Sequence, residues 1–164
     1  MFYFLKNLDW ERLRTDCGFR DHVVKPRFDI AISFAGENRD LARYIAQRLK
    51  ELDVDTYFDE DYEVSYLGRK LSEEFPKIFS TDSRFVLCIL DKFHQEKIWP
   101  TFERDVFMPR VEKCEVIPLC LDDTIFVGIP KDLYGFRLKW SPSDLFWQQD
   151  VDDKIIYPLI DRIG

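Results

Sequence analysis

The stretch RFVLCIL, residues 84–90, restricts the fold more than any other part of this chain. It is a nearly continuous apolar run with no alternation. A strand with one wet face alternates polar and apolar residues, so this one must be covered on both faces. That is the signature of a central strand in a parallel sheet. Other segments fit around it. FDIAISF (28–34) reads as a first strand ending at Ala35-Gly36. ENRDLARYIAQRLKEL follows with Leu41, Ile45, Leu49 and Leu52 on one helical face. VDTYFD is a second strand and EDYEVSYLG a polar, aromatic loop. RKLSEEFPKIF is a short helix interrupted or kinked at Pro76. After RFVLCIL, DKFHQEKI reads as a loop, and a helix runs from Trp99 onward. EVIPLCL is a fourth strand whose ladder Pro118 limits, and FRLKW a short fifth. SPSDLFWQQDVDDKIIYPLIDRI carries a final helix with capping residues ahead of it.

Strands alternating with helices imply right-handed crossovers and an α/β fold, a parallel sheet with helices on both faces. In such sheets ligands bind outside the carboxyl ends of the strands. Here that edge is built from the loops after Phe34, Asp59, Leu90 and Leu121.

A chain of 164 residues, 46% hydrophobic and with 15 Phe, can bury one sizeable core and is unlike a disordered composition. Residues 28–164 are expected to form the domain, and residues 1–27 an extension. FLKNLDWERLR, with Phe4, Leu5, Leu8 and Leu13, has amphipathic helical spacing before Lys25-Pro26-Arg27 breaks it. The net charge of −7, without a basic block, disfavours nucleic acid. No signal-peptide pattern and no run of membrane-spanning length is present in the sequence, so no membrane partner is expected. Cys88 and Cys120 lie in apolar strands and read as buried free thiols; with Cys17 and Cys114 they form no metal-ligand pattern. A reducing compartment, hence a cytoplasmic location, is expected.

Four places could carry chemistry. In KIWPTFERD (97–105), Pro100 marks a helix start, which puts Trp99 and Glu103 four apart on one face near the N-terminus. The dipole there favours an ionised carboxylate. A carboxylate beside an aromatic wall suits a developing cation such as a glycosidic oxocarbenium ion. On spacing alone, a surface glutamate beside a core tryptophan is the plainer reading. SFAGENRD (33–40) offers small residues and free N–H groups at a strand-to-helix turn, but Glu37 and Asp40 would repel a phosphate. The plainer reading is a turn capped by Ser33 or Asn38. FDEDYEVSYLGRKL (58–71) carries Tyr62, Tyr66, Gly68 and Arg69. They suit base stacking or a protein contact, or simply pack in an acidic loop. Asp91 ends the third strand where a receiver domain carries its phosphoacceptor, but the acidic pair such a site needs is replaced by Ser33-Phe34-Ala35. It reads as a turn residue. His22 and His94 read as surface imidazoles, and no catalytic triad is visible.

Together, FDIAISFAGENRDLARYIAQRLKEL, VDTYFDEDYEVSYLGRKLSEEF, RFVLCIL followed by WPTFERD, and EVIPLCLD resemble the Toll/interleukin-1 receptor (TIR) domain, bacterial type, over roughly residues 28–160. The single motifs are loose; the specificity lies in their order and spacing. The resemblance implies a flavodoxin-like three-layer sandwich with about five parallel strands. For function it implies either a scaffold that signals by TIR–TIR self-association or an NAD⁺ glycohydrolase or cyclase. In the enzymatic members the glutamate of W-x-x-x-E is essential, and Trp99 and Glu103 match that segment. By the same resemblance Phe34 and the backbone of Ala35 and Gly36 line the nicotinamide side of the pocket. Many enzymatic members have bulkier or basic residues where this chain has Ala35 and Gly36. Tyr62, Tyr66, Gly68 and Arg69 fall in the loop that mediates assembly and often completes a neighbour's site. NAD⁺ enters as substrate, with no cofactor and no metal. A bacterial antiviral effector, switched by an activating domain or a small-molecule-sensing partner, is the role the family analogy suggests.

Overall fold

A computed structural model describes residues 25–98 and 106–164. Five strands form one parallel sheet: β1 (Phe28–Ser33), β2 (Thr56–Tyr57), β3 (Ser83–Leu90), β4 (Val116–Cys120) and β5 (Phe136–Arg137), in the order β2-β1-β3-β4-β5. This is the doubly wound flavodoxin-like order. Its helices are α1 (Arg39–Glu51), α2 (Leu71–Lys77), α3 (Lys92–Lys97), α4 (Met108–Glu112), α5 (Trp147–Val151) and α6 (Tyr157–Ile163).

The Phe85–Leu90 part of β3 shows why its sequence is apolar. Phe85, Leu87 and Ile89 face one core with Leu41, Ile45 and Leu49 of α1 and Ile155, Leu159 and Ile163 of the C-terminal helices. Val86, Cys88 and Leu90 face a second core with Phe79, Phe107 and Val111. Both sides of the strand are dry, so neither can carry polar residues. Leu52 does not join the α1 stripe: the helix ends at Glu51, and Leu52 is 39% exposed.

Pro118 lies inside β4 rather than at its end, opposite Cys88. The Leu121 N–H donates to Leu90 of β3, whereas the Cys120 carbonyl accepts from Leu138 on the β5 side. Directions alternate along a strand, so the missing N–H of Pro118 faces β5. That ladder begins only at Leu119 opposite Phe136, and nothing is lost.

α2 runs through Pro76 to Lys77 and widens into a π-helical turn, Ile78–Asp82. A second such turn, Asp152–Ile156, joins α5 to α6. Pro158 supplies a reason: it has no N–H for the carbonyl of Lys154, and a wider turn absorbs the defect. The final helix starts at Trp147 without a side-chain cap; the Asp144 carboxylate instead accepts from the Phe146 N–H.

DKFHQEKI is not a loop. It forms α3, capped by Asp91, whose carboxylate accepts from the His94 N–H at 2.9 Å. His94 is fully buried rather than on the surface. The segment from Trp99 and the amphipathic stretch before Lys25 lie outside the described residues. Among the described residues no helix is long and apolar enough to cross a membrane.

Candidate active site

In the order 2-1-3-4-5, the connections leaving β1 and β3 run to opposite sides of the sheet, and a crevice opens between their carboxyl ends. Ser33 pairs with Cys88 across these strands, so the SFAGEN turn and the start of α3 meet there.

The turn after β1 carries Phe34, half-buried and stacked on Phe58 with ring centroids 5.5 Å apart. The Arg39 guanidinium lies over the Phe34 ring, 5.2 Å from its centroid. Arg39 is ion-paired with Asp59 at 3.3 Å and Glu60 at 3.0 Å. Arg43 joins them, and its bond to Glu60 holds that carboxyl down at about 2. Ala35 is fully buried, whereas Gly36 is exposed and open space surrounds the place of a Cβ. The two acids read as phosphate-repelling are both paired: Glu37 with Lys97, and Asp40 with Arg43.

Neither Ser33 nor Asn38 caps the turn as expected. Ser33 Oγ makes a buried hydrogen bond with His94 Nε2 at 3.0 Å, and Asn38 Nδ2 donates to Asp91 Oδ2 at 2.7 Å. Single-sequence reading had no signal for these long-range pairs. The one available clue was spacing: Asp91, His94 and Ile98 recur at three and four residues, the inner face of a helix.

A recess at the edge is lined by Ile32, Ser33, Phe34, Tyr57, Asp59, Phe75, Phe79 and Ile98. Its volume is about 110 Å³. Pockets that enclose a whole drug-sized ligand run to roughly 300–1,000 Å³, so the described walls suit one ring of a larger molecule. Ile98 immediately precedes Trp99. Trp99 and Glu103 themselves lie outside the described residues.

The loop after β2 follows the packed alternative of its sequence reading. Tyr62 and Tyr66 are not exposed platforms. Both are half-buried against the second core: Tyr62 stacks on Tyr57 at 5.3 Å, and Tyr66 donates its hydroxyl hydrogen to Tyr57 at 2.8 Å. Burial pushes both phenols up from their ordinary range. The loop's exposed apolar side chains are Val64 and Leu67, 82% and 78% accessible. Gly68 takes a left-handed φ of 79°, which glycine adopts without strain. Arg69 is exposed with Glu74 at 3.4 Å.

A larger cavity of about 330 Å³ lies at the ends of β4 and β5, between Cys120, Asp122, Phe126, Pro130 and Arg137. None of the residues singled out from the sequence as ligand-binding lines it. Asp122 there is engaged by the N–H groups of Lys92 and Thr124. Among the described residues no group of three or more His, Cys, Asp or Glu could hold a metal ion.

The model of the TIR domain family matches residues 30–154. A curated relative from Aquimarina amphilecti, named 3′ cyclic ADP-D-ribose synthase AaTIR, is 32% identical over 122 residues. That alignment covers 72% of this chain and 37% of the relative, so the chain spans little more than a third of the length of the protein it matches.

Proposed function

This chain belongs to the Toll/interleukin-1 receptor (TIR) domain family, and we propose that it is an enzyme that cleaves the nicotinamide–ribose bond of NAD⁺. The observation that carries the reading is the position of Ile98. It lines the recess that Phe34 and Ser33 also line, so the chain enters the Trp99–Glu103 segment at the wall of the switch-point crevice. The name of the relative supports the same chemistry. A cyclic ADP-ribose is what remains of NAD⁺ once nicotinamide has left and the ring has closed.

In the proposed mechanism the nicotinamide ring occupies the Phe34 recess. The C–N bond breaks, its electron pair stays with the pyridine nitrogen, and nicotinamide leaves neutral without needing an acid. Positive charge develops on C1′ and the ribose ring oxygen. The Glu103 carboxylate stabilises it, and Trp99 walls off water. Either water adds to C1′ and loses a proton, giving ADP-ribose, or a nucleophile within the ADP-ribose unit adds and gives a cyclic isomer. The relative's name favours the cyclic product. The loop bearing Val64 and Leu67 is the proposed self-association surface, and exposed apolar side chains there support it. A bacterial antiviral effector role, a cytoplasmic location and control by an activating domain or small-molecule sensor rest on family analogy. A pure scaffold reading shares the assembly surface but predicts no turnover.

Incubation of NAD⁺ with concentrated protein, followed by chromatography and mass analysis, tests the reaction. Nicotinamide with an equimolar cyclic ADP-ribose is the expected result. Intact NAD⁺ under conditions where light scattering shows assembly would favour the scaffold.

A further inference from the structure

Ser33, Asn38, Asp91 and His94 are all buried, at 4%, 4%, 5% and 0% exposure. They join two pieces of chain. Asp91 uses both carboxylate oxygens: Oδ1 accepts from the His94 N–H at 2.9 Å, and Oδ2 accepts from Asn38 Nδ2 at 2.7 Å. His94 returns through Nε2 to Ser33 Oγ at 3.0 Å. The Asn38 N–H closes the turn onto the Ala35 carbonyl at 2.9 Å. Ser33 and Asn38 are the two ends of the turn carrying Phe34, and both are tied to the first turn of α3. At the surface the Glu37–Lys97 pair ties the middle of the turn to the last residue of α3. The turn and α3 are therefore fastened at three points. α3 then leads through Ile98 into Trp99.

Packing alone does not require this. Apolar residues could fill the junction, and each buried polar group left unsatisfied destabilises the fold. What a buried polar network adds is a fixed geometry. We propose that Asn38, Asp91, His94 and Ser33 are positioning residues that hold the Phe34 turn in register with α3 and Ile98, the residue that precedes Trp99 in the sequence. The proposal rests on the NAD⁺-cleaving reading for its kinetic readout and on the geometry above for everything else. None of the four is assigned contact with substrate.

The Asn38–Asp91 pair allows a polarity swap. In Asn38→Asp, two carboxylates face each other at hydrogen-bond distance in a buried site, where both cannot ionise cheaply. The double variant Asn38→Asp/Asp91→Asn exchanges the two groups. The amide, now on the α3 side, donates to the carboxylate on the turn, while the amide oxygen still accepts the His94 N–H. Steady-state kinetics and amide hydrogen exchange at pH 7.5 would be measured on both, with thermal unfolding to monitor the fold. The single variant is expected to lose kcat by on the order of a hundredfold, as for a misplacement of about 1 Å, with KM changed less than about threefold. Exchange should quicken in peptides covering 34–38 and 92–98. The swap should return kcat to within about threefold and slow both peptides again. If the swap does not fold, Ser33→Ala replaces it, with a smaller loss in kcat and faster exchange in the same two peptides.

Quickened exchange confined to 34–38, with kcat unchanged, would overturn the proposal. So would a single variant whose only defect is a lower melting temperature. If the wild-type protein releases no nicotinamide while assembled, the enzymatic reading fails. The exchange comparison then decides the positioning claim alone.

Discussion

His94 is the residue whose environment has the plainest consequence. Burial pushes its pKa from 6.5 down to about 4. Between those values the unfolded chain binds the proton more readily than the folded one. Its stabilising contribution is thus complete above pH 6.5 and is lost as the pH falls toward 4. The difference is about 3 kcal/mol. Denaturant unfolding at pH 7 and pH 5 should show the wild type losing markedly more stability than His94→Gln, which has nothing to titrate there. Equal losses would place His94 outside the pH response. The sequence hid this residue because DKFHQEKI is mostly polar and reads as solvated. Burial of one helical face is visible only once α3 is packed against β3. For Tyr62 and Tyr66 the sequence left an exposed platform and a packed side chain both open; Tyr57 beneath them decides for packing.

At the scale of elements, α4 depends on one side chain. Arg110 is buried and donates to the carbonyls of Phe79, Ser83 and Arg84 at 2.7–2.8 Å and to Glu115. It joins α4 to the start of β3 and to the turn that follows α2. Arg110→Ala orphans these carbonyls and is expected to cost about 2–4 kcal/mol. Chemical denaturation reads this directly; a loss below about 1 kcal/mol would mean water replaces the guanidinium without penalty. The strands themselves were legible because hydrophobic pattern reports burial: RFVLCIL had to be central, and it is. The parallel α/β class followed from alternation. The π-helical turns did not, since a proline in a helical pattern signals a disturbance but not how the backbone absorbs it. Nor did the tolerance of Pro118 inside β4, which depends on which neighbour its missing N–H faces.

For the whole molecule, the proposal makes activity depend on assembly as well as on the crevice. Val64 and Leu67 are the exposed apolar residues of the loop after β2. Val64→Asp/Leu67→Asp should abolish concentration-dependent light scattering and, with it, the rise in specific activity at high protein concentration. A variant that scatters and turns over like wild type would move the assembly surface elsewhere. The site was only partly readable beforehand. The Phe34 turn stood out as a strand-to-helix junction, but its partners in α3 lie more than fifty residues away and leave no local trace. Trp99 and Glu103 form a weak pattern by spacing and gained meaning from the family series around them. The central claim is that Glu103 stabilises charge developing at C1′. Nicotinamide release by wild type and Glu103→Gln, measured side by side at concentrations where both assemble, tests it most directly. The account predicts a fall of at least about a hundredfold in the variant with assembly intact. Full NAD⁺ cleavage by Glu103→Gln would contradict it.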